Sequence, residues 1–169
     1  MPALSRRQWI LAGLAALVVL TGLVTWLVWP SGGEAPRERR YGSFTACLLT
    51  DDKGLAGEQA RASWAGMQQA SLATAAKVQY LSVAGAQTPS NAASYFNSLG
   101  VQRCGLIVAV GPGPVAATAA GHGQFPGVRY LIVGSSPDPA LPAVPAAGPD
   151  AITAAVRDRM TEAVHNAPK

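Results

Sequence analysis

From residue 43 onward the chain alternates short, unbroken apolar runs with stretches whose apolar residues recur every three to four positions. A strand covered on both faces reads as a continuous apolar run, whereas a helix lying on a sheet shows a single apolar face. Taken in turn, the two patterns are satisfied together by a parallel sheet with helices crossing over it. Phe44 to Thr50, Val78 to Val83, Gly105 to Val110 and Arg129 to Val133 read as four strands, the third the most apolar and therefore central. Leu141 to Ala146 is a fifth, confined to an edge by Pro142 and Pro145.

The intervening stretches read as helices. Gly57 to Leu72 places Ala60, Trp64 and Met67 on one face as core. Thr88 caps, and Pro89 starts, a helix that buries Ala92, Phe96 and Leu99 and stops at Gly100. Gly111 to Pro114 turns the chain into an alanine-rich helix that ends around Gly121 and Gly123. Asp150 is expected to cap the last helix, which runs to Val164 with Ile152, Val156, Met160 and Ala163 toward the sheet. Right-handed crossovers then favour an α/β fold, a flavodoxin-like doubly wound parallel sheet of four to five strands in the order 2-1-3-4-5.

In such a sheet ligands gather beyond the carboxyl ends of the strands, where the strand order reverses. The residues placed there are Thr50, Asp51, Asp52, the Gly111 to Pro114 turn with Gly111 and Gly113, and Gly134, Ser135 and Ser136. Asp51 has two readings, an acceptor for a ligand hydroxyl or amine and a solvated or helix-capping aspartate. The Gly-Pro-Gly-Pro run is a poor dinucleotide loop, because the third glycine of that pattern is Ala116 and two prolines remove donors. It reads as a tight turn. His122 and His165 have no second histidine or carboxylate at ligand spacing and read as surface residues, so no metal is expected. No serine stands in a nucleophile elbow, and neither an enzyme nor a cofactor is expected.

The first 40 residues read differently. Trp9 to Trp29 is 21 residues without a charge, and at 1.5 Å per residue a helix of that length spans about 31 Å, a bilayer's hydrocarbon core. Trp9 at one end and Trp26 and Trp29 at the other suit the two interfaces. The run is long for a cleaved signal peptide and ends in tryptophan, which favours an uncleaved anchor. Residues 1–8, with Arg6 and Arg7, form a cytoplasmic tail, residues 30–42 a linker and residues 43–169 a domain on the extracytoplasmic side. The expected location is the cell membrane, crossed once.

The net charge of +4 sits mostly on that flank: five arginines and two glutamates precede Gly42, while eight cations and seven acids follow it. Without a basic stripe or interleaved aromatics, the domain is not expected to bind nucleic acid. Cys47 and Cys104 fall in neighbouring strands, staggered by roughly three residues or about 10 Å. A bridge needs Cα atoms within about 7 Å, so two buried free thiols are favoured over a disulfide.

The stretches ACLLTDDKG (46–54), WAGMQQA (64–70), CGLIVAVGPGPVAATAA (104–120) and FPGVRYLIVG (125–134) resemble the basic membrane protein family of substrate-binding lipoproteins. These are similar to type 1 periplasmic binding proteins and serve ABC importers, often for nucleosides. The resemblance implies a single periplasmic-binding-protein-like lobe, the first of the family's two. It carries over Asp51 as a ligand contact. The stacking aromatic and amide of the family's first loop fall on Gln59 and Ala60, the aspartate closing the fourth strand is Gly134, and the lipobox cysteine has no counterpart.

Two functions follow. One is a membrane-anchored module that recognises a small polar, nucleoside-like solute, as a sensor or as an accessory to a transporter. The other is a degenerate lobe kept as a scaffold for a protein partner. Because half the site is missing, a homodimer is expected to complete it through the face that two-lobed relatives use between lobes.

Overall fold

The structure, a computed structural model, describes residues 17–23 and 41–167. The chain divides into two compact units, Met1–Glu38 and Arg39–Lys169. In the first, residues 17–23 are helical with Leu17, Val18, Val19, Leu20 and Leu23 exposed. No helix among the described residues is long and apolar enough to cross a membrane. The remainder of the expected span Trp9 to Trp29, the tail and most of the linker lie outside the described residues.

The second unit contains β1 (Thr45–Thr50), α1 (Glu58–Thr74), β2 (Lys77–Ser82), α2 (Pro89–Val101) and β3 (Leu106–Val110). It continues with α3 (Pro112–Gly121), β4 (Arg129–Val133), β5 (Ala143–Val144) and α4 (Pro149–His165). One-turn 3-10 helices at Gly54–Ala56 and His122–Gln124 complete it. The strands form one parallel sheet in the order β2-β1-β3-β4-β5, as the alternating pattern predicts. Leu106 to Val110 is indeed central and buried throughout.

Strand side chains alternate between faces, and the core divides accordingly. Leu48, Leu106, Val108 and Leu131 pack with Met67, Ile152, Val156 and Met160 beneath α1 and α4. Leu49, Ile107, Ala109 and Ile132 pack with Phe96, Leu99 and Ala117 beneath α2 and α3. Both faces of the sheet are thus closed by helices within residues 41–167, which gives this unit a core of its own. Where α1 crosses α4, a Cβ on Gly66 would collide with the Thr153 carbonyl, and the Thr153 hydroxyl donates to Ala62 O at 3.0 Å. Glycine there lets two backbones touch.

Several local expectations are corrected. Gly100 does not end α2: it lies inside the helix because the Phe125 ring occupies the space of a Cβ, and the chain turns instead at Arg103, with φ +59°. Asp150 is not the cap of α4. Gly148 holds that position, Pro149 follows it, and Asp150 falls in the first turn. Trp64 is half-buried and edge-on to Tyr80, with ring centroids 5.5 Å apart.

The two cysteines are the main correction. Cys47 and Cys104 form a disulfide with Cα atoms 5.9 Å apart, and no free cysteine remains. The straight-strand extrapolation fails because Cys104 lies before β3. Gly105 N–H already binds Thr45 O at 2.8 Å, while Cys104 N–H turns back to Leu99 O at 3.3 Å. The left-handed Arg103 folds Cys104 over the sheet face instead of letting it extend the strand.

Candidate functional site

Beyond the carboxyl ends of β1 and β3 lies a cleft of about 350 Å³, lined by Asp51, Lys53, Glu58, Gln59, Gly111 and Gly148 among others. Three helices begin there. Gly57, Gly111 and Gly148 are the N-caps of α1, α3 and α4, and none has a side-chain hydrogen bond closing its helix. Helix N-termini leave backbone N–H groups unpaired and carry partial positive charge. Pro112 and Pro149, at the first helical positions of α3 and α4, remove one such donor each. The first turn of α1, from Glu58, has no proline and keeps its donors.

Asp51 stands at the centre of this arrangement. Its Oδ1 accepts from Lys53 N–H at 3.2 Å, a local turn that fixes the side chain. Gly111 lies against its other face: a Cβ there would come within 3.2 Å of Asp51 Cβ and Oδ2. With φ +94° and ψ +159°, Gly111 occupies a backbone region that is essentially reserved for glycine. The Gly-Pro-Gly-Pro run is therefore no free-standing turn. Gly111 alone turns the chain, and helix begins at Pro112.

The other anticipated residues scatter. Thr50 is fully buried, its hydroxyl 3.1 Å from Asp51 O and 3.2 Å from Ser82 Oγ, so it supports the strand end and does not line the cleft. Asp52 is exposed. Gly113 packs under α2, 3.4 Å from Gln87 O and 3.7 Å from Ala92 Cβ when a Cβ is placed on it. Gly134, with φ +105°, donates to Val144 O at 2.8 Å, and Ser135 is exposed beyond β4. Ser136 closes its own loop, with Oγ 2.7 Å from Asp138 O. Of the anticipated set, Asp51 and Gly111 line the cleft. Glu58, Gly57 and Gly148 were missed, although a repeated Gly-Pro at strand-to-helix junctions (111–112 and 148–149) was there to be read.

A larger hollow of about 550 Å³ opens at the opposite edge, between β4, Leu141, Pro142 and the end of α4. It lies away from the switch point, and the topology favours the smaller cleft as the site. His122 borders this hollow and is half-buried, contrary to its reading as a surface residue without a partner. Its Nδ1 is 3.0 Å from Ala119 O, and its Nε2 is 3.9 Å from Asp138 Oδ2. Burial raises the Tyr130 phenol above its ordinary pKa, and its hydroxyl lies 3.1 Å from His122 O and 3.2 Å from Phe125 O. The Arg129 guanidinium donates to Ala163 O and Asn166 O at the end of α4. Among the described residues, no three His, Cys, Asp or Glu side chains gather as metal ligands do.

No protein-family profile and no curated protein matches the chain. Solved structures do. A chain described as a lipoprotein fragment from Peptoclostridium difficile 630 superposes with a TM-score of 0.59 at 12% identity, covering 71% of this chain and 98% of that one. A transcriptional activator of the comK gene from Bacillus halodurans gives 0.47 at 16% identity, covering 59% of this chain and 33% of its own. An ABC transporter solute-binding protein from Aeropyrum pernix K1 gives 0.45 at 16%, covering 56% and 26%. The chain shares the α/β fold of the first of these, which it matches over nearly that structure's whole length.

Proposed function

We propose that residues 41–167 form an extracytoplasmic recognition lobe for a small polar solute, tethered to the membrane by residues 9–29. The observation that carries this reading is Asp51, a carboxylate fixed in a cleft onto which the uncapped α1 N-terminus opens. Such a cleft offers acceptors from Asp51 and Glu58 and donors from the helix. It suits a neutral solute with both hydroxyl or amine donors and carbonyl or ring-nitrogen acceptors, as nucleosides have. A buried disulfide suits an oxidising compartment and so supports placing the lobe outside the cytoplasm. The resemblance to basic membrane proteins points the same way, toward a sensor or transporter accessory.

The second reading, a scaffold for a protein partner, is favoured by the placement of Thr50, Gly113 and Ser135 outside the cleft lining, which leaves Asp51 with fewer polar companions. A thermal-shift screen of residues 39–169 against nucleosides, nucleobases and other polar metabolites separates the two. A ligand at 100 times its Kd adds about 2.7 kcal/mol, a rise of several degrees in Tm. A shift from one class, lost in Asp51→Ala, supports solute recognition. A flat panel favours the scaffold.

A further inference from the structure

The two edges of the sheet are built differently. On one side β5 is two residues long and flanked by Pro142 and Pro145, devices that blunt an edge against pairing. On the other, β2 runs six residues, Lys-Val-Gln-Tyr-Leu-Ser, with no proline, no glycine and a single charge at its start. Lys77 N–H binds Phe44 O and Val83 N–H binds Thr50 O, each at 2.9 Å, so the odd-numbered residues face β1. By strand alternation Val78, Tyr80 and Ser82 turn both their N–H and C=O groups outward. No strand among the described residues pairs with them.

We propose that two copies of this chain join antiparallel through β2, with the two-fold axis at Tyr80, making one ten-stranded sheet. That register makes Tyr80 oppose its own copy and Val78 oppose Ser82 of the second copy. All six outward main-chain groups on each copy then find partners, because hydrogen-bonded antiparallel pairs exchange both N–H···O bonds. Side chains agree with the register. Tyr80 is 50% exposed although it touches Trp64, and pairing sets the two Tyr80 rings side by side with a Trp64 flanking each. Tyr41, 51% exposed, borders the start of the same strand beside Lys77 and Val78. Charge does not oppose it: the two Lys77 residues lie three residues either side of the axis, about 20 Å apart, beyond the screening length of about 8 Å. This surface is distinct from the carboxyl-end cleft, so pairing leaves Asp51 open and does not depend on solute recognition.

Sedimentation of residues 39–169, which carry their own core, is expected to show a dimer at micromolar concentration that Tyr80→Lys converts to monomer without loss of the disulfide or of a cooperative melt. In the full chain, Tyr80→Cys is expected to link to its copy through a short thiol-reactive cross-linker, since paired Cα atoms lie about 5.5 Å apart. Val101→Cys, 75% exposed on α2, serves as the collision control. A monomer at hundreds of micromolar, a dimer that survives Tyr80→Lys, or Tyr80→Cys linking no better than Val101→Cys would each overturn the proposal.

Discussion

Cys47, in the middle of β1, is bonded to Cys104, two residues ahead of β3, and the Gln79 amide from β2 approaches both sulfurs, 3.2 Å from Cys47 and 3.7 Å from Cys104. The bridge closes a separation of 57 residues and ties the α2–β3 turn to the sheet face. Fully buried among Leu49, Phe96 and Ile107, it belongs to the core rather than to the surface.

Removing that bridge should therefore cost a great deal. Loop-closure entropy assigns a ring of this size about 4 kcal/mol. The Cys47→Ala/Cys104→Ala double variant is expected to melt on the order of 10 °C lower. Intact mass under denaturing, non-reducing conditions checks the premise: it should show no thiol that reacts with an alkylating agent.

Gly111→Ala meets two obstacles, a backbone conformation at φ +94° and the Asp51 side chain 3.2 Å away. We expect a loss of about 1–3 kcal/mol in denaturant unfolding. Asp51→Ala removes only the local turn to Lys53 and should cost under about 1 kcal/mol. An equal loss in both variants would show that Asp51 is structural.

Thr118 is fully buried on α3, and its hydroxyl has no hydrogen-bond partner among the described residues. A buried, unpaired hydroxyl carries a desolvation penalty that a methyl of the same shape avoids. Thr118→Val should raise stability by about 1 kcal/mol. A loss of stability in chemical unfolding would contradict the assignment.

The Tyr130 phenol titrates above its ordinary 10.0 because burial disfavours the phenolate. A group that holds its proton more tightly when folded contributes stability below its unfolded pKa and loses it as pH rises toward the folded one. Stability should fall as pH climbs past about 10, and Tyr130→Phe should flatten that fall while costing about 1 kcal/mol at neutral pH. Urea melts at pH 7 and pH 10.5 test both parts.

Arg129→Leu should loosen the end of α4, because its guanidinium serves two terminal carbonyls, Ala163 O and Asn166 O. Arg129→Lys should recover only part of the loss, since an ammonium lacks the planar fork that reaches both. Amide exchange over residues 160–166 is the direct measure.

What the sequence by itself determined is periodic. The strand-and-helix alternation, the order β2-β1-β3-β4-β5, the Thr88 cap whose hydroxyl accepts from Asn91 N–H at 3.2 Å, and the edge position of β5 all follow from local patterning and chain handedness. What only the tertiary structure decided depends on where the chain leaves those periods. Arg103 adopts a left-handed conformation that no glycine announces, and this turns a 10 Å extrapolation into a disulfide. Gly100 looks locally like a stop signal, yet the helix runs on to Val101 and the Phe125 ring fills the space that a Cβ would need. Asp51 and Gly111 were individually legible, but three helix N-termini far apart in the chain, at Glu58, Pro112 and Pro149, converge beside them only because parallel crossovers return every helix to the same end of the sheet. Register between distant strands sets such contacts, and register is a property of the packed sheet rather than of any one segment.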